Sequence, residues 1–354
     1  MTDLLSRHDV LLADLDGTLY RGHAAIPGAV EAVVGAAGRG VRTMYITNNA
    51  SRRPSEVAAH LAELGFPVCD EDVVTSAQAG AAMLAGQLPP GTPVLVVGTE
   101  ALRDEVRAVG LTVTEHAAEA AAVVQGHNPA TAWPVLAEAT IALLAGAVWV
   151  ACNLDPTLPT ERGPLPGNGS MVAALRTATG RAPQVAGKPA PALFVDAVRR
   201  TDARSPLMVG DRLDTDVEGG RAAGVTTLLV MTGISDAAEL LAAPPALRPD
   251  LIGADMDALH RPPADLTPGP RPGWAVRPAG GGVLELAATS AGPEPMDALL
   301  ALCDAHWAQG GGAACVAASD TDAAEALRVL GLDAVPDGSA TVARAGAEPG
   351  PVRG

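Results

Sequence analysis

Val10-Leu11-Leu12-Ala13-Asp14-Leu15-Asp16-Gly17-Thr18 carries four apolar residues into two carboxylates set two positions apart, and then into a turn. A short apolar run closed by a turn signal reads as a strand buried on both faces. In extended chain, residues i and i+2 face the same way, so Asp14 and Asp16 share one pocket while Leu15 faces the other side. Gly17 lets the chain turn there without a side-chain clash. Two acids in one pocket at a strand end is the layout of an aspartate phosphoryl acceptor: one carboxylate attacks phosphorus and the other moves protons. The same letters occur in plain turns and in calcium loops. The calcium reading fails on spacing, because, counted from Asp14, Leu19 stands where that loop needs Gly and Ala25 where its closing Glu belongs.

Three further segments repeat the design. Val41 to Ile46 reads as a second buried strand that delivers Thr47, Asn48 and Asn49, a hydroxyl and two amides suited to a phosphate oxygen. Gly187-Lys188-Pro189 opens the helical pattern from Ala192 to Val198, so Lys188 lies near a helix N-terminus where anions are favoured, and its ammonium can neutralise phosphoryl charge. Leu207 to Gly210 is again strand-like and runs into Asp211-Arg212-Leu213-Asp214-Thr215-Asp216. Asp211 is the natural further carboxylate for a metal. Asp216 reads as the cap of a helix that ends at Gly224, Asp214 as a solvated or structural acid, and Arg212 as a loop-ordering group. Taken singly, each segment has an ordinary structural reading. Together, at successive strand ends of one alternating strand and helix pattern, they mark a functional site.

With these four segments in this order, the chain resembles the haloacid dehalogenase (HAD) superfamily. Within it, the resemblance is to the branch of nitrophenylphosphatases, phosphoglycolate phosphatases and glycerol-3-phosphate phosphatases that carry a large α/β cap. The match spans roughly residues 8 to 262 and includes the distances between motifs. By position it implies Asp14 and Asp16 as the catalytic pair and Thr47, with Asn48 and Asn49 beside it, and Lys188 as phosphate-binding groups. It also implies Mg²⁺, held by Asp14, Asp211 and the backbone carbonyl of Asp16, an all-oxygen set that suits this ion. Asp16 favours phosphoryl chemistry, since members that cleave carbon–halogen bonds lack a second Asp there. The implied activity is Mg²⁺-dependent hydrolysis of a small phosphomonoester through an aspartyl phosphate, with glycerol 3-phosphate as first choice. Phosphoglycolate and aryl phosphates such as 4-nitrophenyl phosphate are the alternatives. A phosphoacceptor module without turnover is the reading from another class; it needs neither a leaving-group acid nor a lid, and this chain has Asp16 and room for a cap.

The distance from Thr47 to Lys188 is too long for one crossover, and strand-like runs recur inside it at Val94 to Gly98, Ala122 to Gly126 and Ala147 to Ala151. The expected fold is therefore α/β: a Rossmann-like doubly wound parallel-sheet core of residues 1–77 and 185–262, with an inserted α/β cap at 78–184. A Pro-rich linker at 263–272 leads to a small α+β domain at 273–354, acetyltransferase-like by resemblance. Gly310-Gly311-Gly312 lacks the basic flank of a pyrophosphate loop and reads as a turn, so that domain is expected to be non-catalytic. Specificity is expected in the polar loop after Ala151, where Asn153, Asp155 and Arg162 could contact a polyol.

Composition narrows the class. The 354 residues carry a formal charge of −16, which opposes a nucleic-acid partner. No apolar run approaches the roughly 20 residues of a membrane span, and Arg7-His8-Asp9 precedes only a strand-length stretch, so no membrane partner and a cytoplasmic location are expected. A homo-oligomer is compatible with this composition. Cys69, Cys152, Cys303 and Cys315 lack short paired spacings and read as reduced, mostly buried thiols.

Overall fold

The computed structural model describes residues 3–160, 162–280 and 282–333, so residues 334–354 of the expected C-terminal domain lie outside the described residues. Six parallel strands form the first sheet, in the order Leu251–Gly253, Thr226–Val230, Pro206–Gly210, Val10–Asp14, Arg42–Thr47 and Val73–Thr75. The opening stretch of the sequence analysis is thus a central strand. Leu11, Ala13 and Leu15 pack into one apolar layer while Val10 and Leu12 pack into the other, which is why the strand reads as continuously apolar rather than alternating. Chain order reverses at this strand: from Val10–Asp14 the chain steps outward to Val73–Thr75, then returns on the opposite side at Pro206–Gly210. Such a reversal leaves a crevice at the carboxyl ends of the strands. Asp14, Thr47 and Gly210 are each the last residue of their strand, so all three open onto that crevice.

The helix Pro54–Glu63 shows why these segments fold as they do. Proline occupies its first turn, Glu56 accepts from the Arg53 N–H at 2.8 Å, and Val57, Ala58 and Leu61 line one buried face.

A second sheet of five parallel strands lies between Thr47 and Lys188, in the order Gln184–Val185, Val148–Ala151, Ala122–Gln125, Pro93–Val97, Thr112–Thr114. Its edge strand straddles the expected boundary at 184/185, since Val185 pairs with Ala151 inside this sheet. The expected loop after Ala151 contains an antiparallel hairpin, Thr157–Thr160 with Gly163–Pro166. Its prolines hid it from a strand reading, because proline cannot donate to a ladder and is tolerated only at edges.

The C-terminal unit is a three-stranded sheet in which Trp274–Gly280 runs antiparallel to Val283–Ala288, and Val283–Ala288 parallel to Cys315–Ala318. The helices Pro295–Trp307 and Thr321–Val329 cover it. The Pro-rich stretch before it departs from the expected linker. Leu266 is 1% exposed and packs in the apolar layer that also holds Leu4 and Leu259. The Ile252 N–H donates to the Leu266 carbonyl at 2.8 Å and the Gly269 N–H to the Leu300 carbonyl at 3.3 Å. Proline here fixes φ in a packed crossing segment. Of the four cysteines, all free, Cys152 and Cys303 are buried while Cys69 and Cys315 are exposed, fewer buried than expected. Among the described residues, no helix is long and apolar enough to cross a membrane.

Leu266→Ala separates a packed segment from a linker. We expect a loss of about 2–5 kcal/mol in urea denaturation, the range for deleting a buried leucine side chain; a change near zero would make the stretch a linker after all.

Candidate active site

Three strand ends and one turn build the site. Asp14, at the end of the central strand, accepts from the Lys188 ammonium through Oδ1, and the same ammonium donates to Asp216 Oδ1 at 2.7 Å. Lys188 is 4% and Asp216 1% exposed, while Asp14, at 8%, is the member that reaches the crevice. Asp211 follows the strand Pro206–Gly210 and accepts from the Ile234 N–H at 2.7 Å and the Thr18 hydroxyl at 3.3 Å. Asp14, Asp211 and Asp216 each bring one carboxylate oxygen within 4.8 Å of the others.

Asp216 corrects the sequence reading. It does not cap the helix Glu218–Ala222, whose preceding residue is Val217. Leu213–Val217 form a π-helical turn, and the wider turn folds the Asp216 carboxylate back onto Lys188 and onto the Arg212 N–H at 3.2 Å. Arg212 orders this loop by a bidentate pair with Asp214 at 2.8 and 2.9 Å.

The electrostatics follow from crowding. Burial, then the charges of Asp14 and Asp216, push the Asp211 pKa up to about 8. Burial, then Asp14, push Asp216 up to about 6. Burial works against the Lys188 ammonium, but Asp14 and Asp216 outweigh it and raise its pKa. Asp16 is outside the trio and exposed as a residue, while desolvation by the chain around it, then the Asp14 charge, raises its pKa. A carboxyl whose neutral form is favoured is suited to donate a proton.

The turn at Gly17 is required twice over. Its φ is +88°, and a Cβ there would meet Asp211 Oδ2 at 2.4 Å. The Thr232 hydroxyl donates to the Gly17 carbonyl at 2.7 Å and ties this turn to the loop that holds Asp211.

Thr47 is buried at its strand end, and its hydroxyl accepts from the Asn49 N–H at 3.1 Å, which leaves its own O–H to give. Asn48 departs from the expected phosphate contact. Its Oδ1 accepts from the Lys188 N–H at 2.8 Å, while its Nδ2 donates to the Lys188 carbonyl at 3.1 Å and to Asp155 Oδ2 at 3.2 Å, so the amide is fully committed. Asn49 is exposed, and its Oδ1 accepts from the Ser51 and Arg52 N–H groups, which shapes the loop and leaves its NH₂ outward.

In the loop after Ala151, Asn153 is buried and donates to the Asn48 carbonyl at 2.7 Å, which ties the two loops together. Asp155 is half-buried against Asn48, and burial raises its pKa. Arg162 is exposed at the hairpin end, with its N–H on Thr160 Oγ1 at 3.2 Å. Sequence reasoning missed Thr18 and Ile234. Thr18 lay within the first motif, whereas Ile234 contributes only a backbone N–H, which no residue type announces.

This donor set fits a divalent cation. Three buried carboxylates face one ammonium, so with all three ionised two negative charges would lack a counter-charge, and among the described residues no cationic side chain bonds Asp211. Hard oxygen donors of this kind suit Mg²⁺. A separate cleft of ≈ 760 Å³, lined by Arg42, Arg53, Asp70, Asp104 and Arg200 among others, contains none of these acids. It is a surface groove between the two sheets' helices, crossed by the Arg53–Asp104 ion pair at 2.6 Å.

A parallel sheet that reverses at an Asp-x-Asp strand end, with a buried lysine and acids from the next strand converging on it, defines an aspartate-based hydrolase. Residues 11–112 match the family model described as haloacid dehalogenase-like hydrolase, and residues 185–259 match a second, HAD-hydrolase-like model. The chain belongs to the haloacid dehalogenase-like hydrolases. Residues 271–332 match a GCN5-related N-acetyltransferase-like domain. The chain is similar to D-glycerol 3-phosphate phosphatase of Mycobacterium tuberculosis, with 55% identity over 284 residues, 80% of each chain. It is also similar to a 5'-nucleotidase of Bacillus subtilis, at 39% identity over 63% of this chain and 87% of that one. Among solved structures, glycerol phosphate phosphatase from Mycobacterium tuberculosis in complex with magnesium superposes with a TM-score of 0.88 at 50% identity, over 94% of this chain and 99% of that chain. A 4-nitrophenylphosphatase from Thermotoga maritima gives 0.68 at 29% identity, over 73% and 98%.

Gly17→Ala tests the packing of the site. A methyl group at this φ, against Asp211, should leave far-ultraviolet circular dichroism unchanged and lower kcat/KM by about 10²-fold, the cost of a catalytic group misplaced by about 1 Å. Full activity in this variant would mean that Asp211 tolerates displacement.

Proposed function

We propose that this chain is a Mg²⁺-dependent phosphatase that hydrolyses glycerol 3-phosphate through a phosphorylated Asp14. The observation that carries the reading is the Asp14–Lys188–Asp216 triad beside Asp211 at the reversal of the sheet. The substrate rests on similarity to glycerol 3-phosphate phosphatase along most of both chains.

Asp14 uses Oδ1 for Lys188, which leaves Oδ2 to attack phosphorus. Lys188 offsets the charge of the incoming phosphoryl oxygens, and Asp216 holds the ammonium in place from the far side. Thr47 donates its hydroxyl to a phosphoryl oxygen. Asp16, with its raised pKa, gives its proton to the departing glycerol oxygen and then takes one from the water that cleaves the aspartyl phosphate. Asp14, Asp211 and the carbonyl of Asp16 would hold the metal, with Asp216 close by. Mg²⁺ supplies, when bound, positive charge against a phosphate dianion that Asp14 would otherwise repel. Two unit charges about 4 Å apart repel by roughly 4 kcal/mol at an effective dielectric near 20.

In this reading residues 1–77 and 185–262 are the catalytic core, and residues 78–184 form a cap that excludes water and bulky esters. Residues 273–354 form the C-terminal domain and take no catalytic part. Asn153, Asp155 and Arg162 shape the cap loop, with Arg162 the one best placed to move toward a polyol. The enzyme works in the cytoplasm on a small metabolite, and its acidity disfavours nucleic acid.

Two variants and one panel test this. Asp14→Asn should reduce turnover to background while the fold is kept; retained hydrolysis rejects the nucleophile. Asp16→Asn should lower kcat for glycerol 3-phosphate by about 10²–10⁴-fold. With 4-nitrophenyl phosphate, whose leaving group departs as a stable anion, a stopped-flow burst should survive in Asp16→Asn although steady turnover fails. A release assay across phosphorylated polyols, sugars, glycolate and nucleotides should rank glycerol 3-phosphate first by kcat/KM; a low rank removes the substrate assignment.

A further inference from the structure

The proposed chemistry leaves the C-terminal unit without a task, yet that unit is bonded to the segment that holds Asp211. Its helix Pro295–Trp307 packs against the core helix Ala237–Ala242, and one apolar cluster joins Leu299 and Leu302 to Leu240 and Leu241. The polar seam is specific. The Trp307 indole N–H donates to the Leu241 carbonyl at 3.2 Å. Arg248 donates to the Ala243 carbonyl at 3.0 Å and to the Gly310 carbonyl at 2.9 Å, with its guanidinium 5.1 Å from the centre of the Trp307 ring.

The Gly310-Gly311-Gly312 run therefore has a physical reason other than ligand binding. All three residues have positive φ, and a Cβ on Gly311 would meet Arg248 Nη2 at 2.4 Å. Only glycine lets Arg248 lie down between this turn and Trp307.

The helix Ala237–Ala242 is short, about 9 Å long, and begins where the Asp211 clasp ends. Asp236 caps it by accepting from the Glu239 N–H at 2.8 Å. Just before it, Ile234 donates its N–H to Asp211 Oδ2 at 2.7 Å and Ser235 donates its N–H to the Asp211 carbonyl at 3.1 Å. Ser235 Oγ accepts from the Leu213 N–H at 3.0 Å, at the start of the turn that carries Asp216. One continuous set of bonds thus runs from Trp307 through a single helix to both Asp211 and the Asp216 turn.

From this juxtaposition we infer that the C-terminal unit is a brace for the cation-binding acids: by fixing the helix Ala237–Ala242 it fixes the loop that sets the Asp211 carboxylate. Trp307 and Arg248 are its positioning residues. The inference rests on the reading of Asp211 as a metal-holding acid. It assigns the unit a mechanical role in the same reaction, without a substrate of its own.

The experiment uses the full chain. Wild type, Trp307→Ala, Trp307→Phe and Arg248→Ala are titrated with Mg²⁺ alone in a calorimeter, then assayed for kcat and KM and melted. Trp307 and Arg248 are both half-buried, and Arg248→Ala empties no apolar core, so at least one variant stays folded. Trp307→Ala and Arg248→Ala should weaken Mg²⁺ binding about tenfold, the low end of what removing a supporting partner of a metal ligand costs, and lower kcat with KM nearly unchanged. Trp307→Phe, which keeps a ring under Arg248 but loses the indole N–H to the Leu241 carbonyl, should bind Mg²⁺ with an affinity between those of wild type and Trp307→Ala. Lowered melting temperature with wild-type Mg²⁺ affinity would mean that the unit only adds stability, and overturns the brace. If the wild type itself binds no Mg²⁺, or Asp211→Asn binds it as tightly, the reading of the site fails and the brace falls with it.

Discussion

Three carboxylates closing on one buried ammonium is an arrangement that no isolated segment would adopt, and the rest of the molecule is organised to enforce it. Lys188 bonds two of the acids and leaves the third, Asp211, to a backbone N–H and a hydroxyl. Each like-charged pair at this range opposes closure, and water is largely absent to screen it. The opposing force is the burial of strands on both faces. Asp14 and Asp211 are carried by neighbouring strands whose register, Val10 with Pro206 through Ala13 with Val209, is held by two apolar layers. Slipping that register by one residue would turn apolar side chains toward the wrong layer, so the acids are fixed by a core far larger than the site.

The same logic reaches the cap through one amide. Asn48 brackets Lys188 from both sides of its peptide, donates to Asp155, and lends its carbonyl to Asn153 and to the Ser76 hydroxyl at 2.6 Å. Ser76 stands where the chain leaves the core sheet, and Lys188 where it has just returned. The side-chain amide, with two donors and one acceptor oxygen, makes the bonds to Lys188 and Asp155, while the backbone carbonyl takes those from Asn153 and Ser76. Displacement of the cap loop therefore bears directly on the backbone that places the ammonium.

How much of this was legible follows from where the information lies. The strand-end placement of Asp14, Thr47 and Asp211 was readable because a strand-to-loop transition is local, and an acid or hydroxyl directly after an apolar run signals an exposed strand end, whereas Lys188 was read from the helical pattern that follows it. Asp216 was not, because a π-turn and an α-helix differ by one residue of winding that the letters Leu213 to Val217 do not encode. Asn48 is a related case: its residue type suits a phosphate, and only tertiary contacts reveal that its side-chain amide is engaged by Lys188 and Asp155. The Pro-rich stretch around Leu266 read as a linker because composition reports stiffness and cannot report packing. The strand Trp274–Gly280 escaped because a Pro and a Gly interrupt its alternation, and its pairing partner supplies the order.

The sign of the whole chain sharpens what the site must do. A formal charge of −16 faces an anionic ester, so the long-range field does not draw substrate inward. At physiological ionic strength that field decays over about 8 Å, whereas the Lys188 ammonium acts at contact distance. Attraction for the phosphoryl group is thus confined to the last few ångströms of approach, inside the crevice at the strand ends. An anion outside that crevice meets a chain of net negative charge, so entry to the crevice and contact with the Lys188 ammonium become one selection rather than two.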